Sequence, residues 1–264
     1  MRSVAALAGA FFTGALALLA VPSALAQART ALLSTDAIIA KHIAARGGLG
    51  ALEAIKTLKM TGVMRPGGFD ARLAYVETIA RPDSVRIDAT LQGLTVVQAY
   101  DGKSGWQIQP FQGRKDPETL SSDDVKSLQE EADFEDPLIN AQAKGATIDN
   151  LGIQEIDGGS TYALRVNLKD GDQQIYYLDP DAWLTIRIVT RQILRGAETL
   201  TQTDLGDYEK VNGVYFPYEV ASGPKGSPTQ QRITYDKIVA NEVVSPEIFE
   251  LPKTPTPPIT PAAK

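Results

Sequence analysis

From residue 58 onward the chain repeats one pattern: apolar residues at every second position for a few residues, then a turn-forming cluster. Leu58/Met60, Leu73/Tyr75, Val85/Ile87/Ala89/Leu91 and Trp106/Ile108 follow it in the first half. Tyr162/Leu164/Val166/Leu168, Ile175/Tyr177, Leu184/Ile186/Ile188, Val214/Phe216/Tyr218/Val220 and Ile233/Tyr235 follow it in the second. A period of two places those side chains on one face of a strand, so each run predicts a half-buried β-strand. The separators include Asp157-Gly158-Gly159, Asp170-Gly171-Asp172, Asp179-Pro180-Asp181 and Asn212-Gly213, which suit tight hairpin turns. Short turns join antiparallel neighbours, whereas a parallel pair needs a long crossover. The chain is therefore predicted to be α+β but mostly β: a single curved antiparallel sheet.

Two helical stretches interrupt the strands. Ser34-Thr35-Asp36 offers caps for a segment in which Ile38, Ile39 and Ile43, then Leu49, Leu52 and Ile55, recur at helical spacing across Gly47-Gly48. A second segment follows Ser121-Ser122, with Val125, Leu128 and Ala132 on one face, and Pro137 ends it before Leu138-Ile139. Both are expected to cover the concave face of the sheet. In YDGKSGWQIQP, residues 100–110, Asp101-Gly102 and Gly105 are read as the positive-φ positions of a hairpin, and Trp106 is read as facing inward.

The chemistry that is missing narrows the function. The 264 residues contain no cysteine and a single histidine, His42, which excludes thiol nucleophiles, disulfide scaffolds and Cys- or His-rich metal sites. His42 lies in the apolar-periodic opening helix and is read as structural. No phosphate-binding glycine loop is present, because Gly47-Gly48-Leu49-Gly50 lacks a flanking strand and a lysine-hydroxyl pair. A net charge of −6 disfavours nucleic acid or an anionic membrane surface as a partner. Residues 116–136 are rich in carboxylates, including Asp123, Asp124, Glu130, Glu131, Asp133, Glu135 and Asp136. Asp123 and Asp124 suit the first turn of a helix, and the others are read as its solvated face. Calcium-loop spacing is absent there, so no metal and no cofactor are expected; a catalytic carboxylate pair is the weaker alternative.

At the N-terminus, Met1-Arg2, an apolar stretch over residues 4–21 and Pro22-Ser23-Ala24-Leu25-Ala26 read as a secretory signal peptide cleaved after Ala26. The competing reading of that stretch is a membrane anchor. The expected organisation is a signal peptide over 1–26, one domain over 27–252 and a proline-rich tail over 253–264, in an exported, periplasmic protein.

Four motifs come in a recognisable order: YDGKSGWQIQP, YYLDPDAWLTIRIVTRQ at residues 176–192, YEKVNGVYFPYEV at 208–220 and NEVVSPEIFELP at 241–252. With the opening GGLGALEAIKTLKMTGVM at 47–64, they resemble the bacterial LolA-like family over residues 38–252. The resemblance implies an unclosed β-barrel of about eleven strands, with helices as a lid over an apolar cavity that accepts acyl chains. It includes periplasmic lipoprotein carriers, outer-membrane acceptors and envelope-stress sensors. This chain is longer than the classical carrier, with an extended acidic segment over 112–145, and the carrier's functional arginine has no matched position here.

The residues expected to line such a cavity are Val85, Ile87, Leu91, Trp106, Ile108, Ile175, Tyr177, Ile186, Ile188, Phe216 and Tyr218. Those expected in the lid are Val125, Leu128, Phe134, Leu138 and Ile139. Enclosing an acyl chain contributes on the order of 0.8 kcal/mol per methylene, so a carrier needs no catalytic group. The leading expectation is a non-enzymatic carrier of a lipid or of lipoprotein acyl chains, served by an inner- or outer-membrane partner protein. The alternatives are an envelope interaction or stress-sensor module, and, more remotely, a hydrolase using carboxylates of the acidic segment.

Overall fold

The computed structural model describes residues 33–135 and 137–252. The expected signal peptide (1–26), the proline-rich tail (253–264) and Asp136 lie outside the described residues. The chain opens with α1 (Thr35–Arg46) and α2 (Leu49–Ala54), then runs through β1 (Thr57–Pro66), β2 (Leu73–Ala80), β3 (Ser84–Leu91), β4 (Leu94–Asp101), β5 (Gly105–Gln109) and β6 (Arg114–Thr119). After α3 (Ser122–Ala132) come β7 (Thr147–Ile156), β8 (Gly159–Asn167), β9 (Gln173–Leu178), β10 (Thr185–Leu194), β11 (Ala197–Val211), β12 (Val214–Pro224) and β13 (Gln231–Ala240).

All strands belong to one 13-stranded antiparallel sheet with the order β6-β5-β4-β3-β2-β1-β13-β12-β11-β10-β9-β8-β7. Two meanders, β1 to β6 and β7 to β13, are joined where β1 pairs with β13. Strands β6 and β7 form the two free edges, so the sheet is not closed. The strand count exceeds the eleven or so expected. Strand β6 lies inside the segment read as loop and helix, and its side chains are mostly exposed, so no alternating apolar signal marks it.

The chain must pass from one free edge to the other between β6 and β7, and α3 lies on that crossing. Ser121 caps α3 by accepting a hydrogen bond from the backbone N–H of Asp124 (3.3 Å), with Asp123 and Asp124 in the first turn. Val125, Leu128 and Ala132 are buried, and the helix packs over β3 and β4. Gly105 marks the contact: a Cβ there would lie 2.7 Å from Val125 Cγ2 and 3.2 Å from Leu120 Cδ1. Gly105 is thus glycine for close approach, whereas Gly102 (φ 90°) supplies the positive-φ position of the turn.

The main core lies between the sheet and the helices. Leu52 and Ile55 pack with Leu58, Ile79, Val85, Tyr100, Leu128, Ile139, Val214 and Phe216. A second cluster beneath α1 joins Ile38 and Leu138 to Leu164, Val166, Tyr176 and Leu178. His42 is fully buried and its Nδ1 lies 2.8 Å from the Trp183 carbonyl oxygen, which accepts its proton, consistent with a structural role.

Register corrects the predicted faces. Val85 pairs with Tyr100, whereas Trp106 pairs with Ala99 and Ile108 with Val97. Trp106 and Ile108 therefore point to the opposite face from Val85, Ile87 and Leu91. There they pack with Val97 and Ala99, and Trp106 Nε1 donates to the Phe249 carbonyl at 2.7 Å. In the second meander Ile175 pairs with Val189 and Tyr177 with Arg187, which also places them away from the main core. A β-bulge between Thr185 and Arg187 inverts the phase of β10, so Ile186 joins that outer cluster while Ile188 faces inward.

Candidate functional site

Between the concave face and residues 126–144 the core is not filled. A cavity of about 720 Å³ remains, lined on the sheet side by Leu58, Met60, Ile79, Ile188, Leu205, Phe216, Val220 and Tyr235. Phe134 and Pro137 line it from the crossing segment. The volume falls within the range of about 300–1,000 Å³ typical of small-molecule sites.

One wall is polar, and the local sequence explains how. Gly62 on β1 pairs with Tyr75 of β2 on one side and with Tyr235 of β13 on the other. Without a side chain between them the two rings approach to 6.1 Å between centroids, tilted by 53°. A Cβ on Gly62 would lie 2.1 Å from the Thr234 carbonyl oxygen, so the position admits no larger residue. Both hydroxyls donate to Glu77 Oε2, from Tyr75 at 3.2 Å and from Tyr235 at 2.7 Å. Glu77 is two residues beyond Tyr75 and hence on the same inward face, 1% exposed.

From α3, Glu130 and Glu131 reach the same cavity. The Glu131 carboxyl stands within hydrogen-bonding reach of Glu77. Glu131 is exposed, and its exposed side chain borders the cavity. Burial, then the neighbouring Glu131, pushes the Glu77 carboxyl well above the usual carboxylate range. Burial also raises Glu131. Glu130 accepts from the side-chain amides of Gln174 (3.1 Å) and Gln192 (2.6 Å). Burial, followed by the charge of Asp172, pushes it up to about 7.

Most other charges around the cavity are engaged, whereas Lys169 and Asp83, which also line it, form no ion pair among the described residues. Arg81 pairs with Glu135 and lies 4.7 Å over the Phe134 ring. Lys126 meets Asp172 at 2.9 Å and Asp170 at 3.3 Å, and Lys144 meets Asp133 at 2.6 Å. Arg46 donates to the carbonyls of Tyr215 (3.1 Å) and Phe134 (3.2 Å). Glu77, Glu130 and Glu131 have no cationic partner among the described residues. Two buried side-chain polar atoms there lack any hydrogen-bond partner, Glu77 Oε1 and Thr185 Oγ1, and both residues line this cavity.

Known structures share this architecture. A DUF1329 family protein from Desulfovibrio piger superposes with a TM-score of 0.57 at 13% identity, covering 82% of this chain and 97% of its own. A putative outer membrane lipoprotein-sorting protein domain from Vibrio parahaemolyticus gives 0.57 at 11% identity, covering 80% and 94%. A LolA superfamily protein from Nitrosomonas europaea gives 0.56 at 11% identity, covering 83% and 98%. The fold is LolA-like. No family model and no curated protein matches the sequence; the likeness is one of fold.

Within this LolA-like fold, Ile188, Phe216 and Phe134 line the cavity. Val85, Ile87, Leu91, Tyr218, Val125, Leu128 and Ile139 face inward but are packed into the main core, and Leu138 into the second cluster. Trp106, Ile108, Ile175, Tyr177 and Ile186 are on the other face and do not reach the cavity. The reading of Glu130, Glu131 and Glu135 as a solvated helix face is likewise corrected for two of them: Glu135 is buried against Arg81 and Glu130 is half-buried against Gln174 and Gln192, whereas Glu131 is exposed at the cavity. Sequence reasoning missed Glu77, Tyr75, Tyr235 and Thr185. The available signal was an acid at an inward position of the Leu73/Tyr75 alternation, continued to Ile79.

Proposed function

We propose that this protein is an exported, periplasmic binding or carrier protein whose cavity encloses a lipid or the acyl chains of a lipoprotein. The supporting observation is an unfilled space of about 720 Å³ walled by Leu58, Met60, Ile79, Phe134, Phe216 and Val220 inside an otherwise close-packed core. Each methylene enclosed there contributes on the order of 0.8 kcal/mol without directional contacts. The crossing segment acts as the cover, with Phe134 as the lid residue in contact with cargo and Val125, Leu128, Leu138 and Ile139 as the packing that seats it. Loading and release then fall to a partner at the inner or outer membrane.

A binding role fits the carboxyls better than glycoside hydrolysis does. Glu77 and Glu131 touch, whereas the carboxyl pairs of glycosidases stand roughly 5 Å or more apart to admit a sugar bond. Glu77 Oε2 is also occupied by two tyrosine hydroxyls. An interaction module without cargo would be expected to fill this space with side chains.

Titration with the neutral fluorophore N-phenyl-1-naphthylamine tests the reading. One saturable site per chain, competed by long-chain alcohols, is expected. No saturable binding would sink the carrier proposal.

A further inference from the structure

We propose that the apolar ligand held in this cavity carries a protonated amine, which docks against Glu77 and Glu131. The inference rests on the carrier reading above and names the chemistry of the ligand's polar end.

The argument begins with groups the protein leaves unsatisfied. A buried acceptor without a donor costs about 1–3 kcal/mol, more when charged, and native proteins rarely retain one without a reason. Here both such side-chain atoms among the described residues, Glu77 Oε1 and Thr185 Oγ1, belong to one cavity. Glu77 is 1% exposed and is fixed from behind by Tyr75 and Tyr235, so it is held in place and not free to rotate toward water. Its remaining neighbour is the carboxyl of Glu131, a like charge when ionised. An ammonium carries several donors and a positive charge, and so satisfies the free Glu77 acceptor and the clash between the two carboxyls at once.

The sign of the charge follows from what surrounds the site. Arg81, Lys126 and Lys144 are each matched to a carboxylate of their own, Arg46 is committed to carbonyls, and Lys169 is exposed. An anionic head such as a carboxylate or phosphate would meet Glu77, Glu130 and Glu131, and the one unmatched cation among the described lining residues, Lys169, is exposed. A neutral hydroxyl could satisfy the hydrogen bonds but would leave the carboxyls uncompensated in a poorly screened space. Burial raises the titration of Glu130 and Glu131.

Three probes with one tail separate the possibilities: dodecylamine, dodecanol and dodecanoic acid, each competing with N-phenyl-1-naphthylamine at pH 8 and 150 mM salt. Dodecylamine is expected to bind at least about tenfold more tightly than dodecanol, with dodecanoic acid weakest. Glu131→Gln should abolish that preference, with a cooperative urea transition of the variant showing that it is folded. Should Glu131→Gln lose dodecanol as well, Glu130→Gln, one position back on α3, serves as the second variant, with a reduced amine preference expected. Dodecanol or dodecanoic acid binding as tightly as dodecylamine would overturn the amine assignment and leave the apolar carrier standing. A preference undiminished in these variants would place the amine elsewhere and overturn the site. Failure of all three probes would overturn both the site and the carrier reading.

Discussion

Glu130 makes the stability of this protein fall as pH rises through neutrality. Its carboxyl, on α3, faces Asp172 and Asp170 from the turn before β9, Glu131 on its own helix, Lys126 one turn back, and the amides of Gln174 and Gln192. Burial and these acids hold it at about 7, against 4.5 for an ordinary glutamate. A carboxyl titrating higher in the folded chain keeps its proton longer there, so between those two values the folded state binds more protons than the unfolded one. Stability is then greatest below pH 4.5 for this group and declines as pH rises to about 7. At about 1.4 kcal/mol per pH unit, the decline attributable to Glu130 is on the order of 3 kcal/mol. Glu77 and Glu131, also raised by burial, act in the same direction. Urea unfolding followed by tryptophan fluorescence at pH 5, 6, 7 and 8 reads this directly. With a slope of about 3 kcal/mol per molar, the midpoint should fall by roughly 1 M from pH 5 to pH 8. Glu130→Gln should be more stable than the wild type at pH 8 and show a shallower dependence. A midpoint that is flat or rises with pH, or a variant with the wild-type slope, would refute the reasoning.

Three further outcomes are expected. Gly62→Ala places a methyl 2.1 Å from the Thr234 carbonyl oxygen on the β1–β13 seam and should destabilise by more than about 3 kcal/mol, seen as a large drop in unfolding temperature. Trp106→Phe removes the hydrogen bond to Phe249 on the outer face and should cost about 1–2 kcal/mol in urea while leaving N-phenyl-1-naphthylamine affinity unchanged; weakened binding would contradict the placement of Trp106. Val220→Trp projects a large ring into the cavity from β12 and should weaken that probe at least about tenfold, with unfolding temperature shifted by only a few degrees.

The antiparallel meander was legible because alternation and turn residues act locally. Val85 to Leu91 and Val214 to Val220 announce strands whatever surrounds them. Which face is inward is not local. It depends on how many residues a hairpin loop holds and on bulges, and so Trp106 came out paired with Ala99, not Tyr100, while a bulge after Thr185 separated Ile186 from Ile188. Edge strand β6 was missed because an exposed edge needs no apolar face. The polar wall was hidden for another reason. Glu130 and Glu131 look like any acidic helix surface until the crossing from β6 to β7 turns that helix over the concave face, and Glu77 becomes conspicuous only once Tyr75 and Tyr235 meet across Gly62.

The most direct test of the central claim is native mass spectrometry of the protein purified without detergent from a periplasmic fraction, with organic extraction of the same sample. The account predicts a bound mass that extracts into solvent as an acyl-bearing molecule and disappears in Val220→Trp. A clean ligand-free mass for the wild type, together with no uptake of N-phenyl-1-naphthylamine, would contradict it.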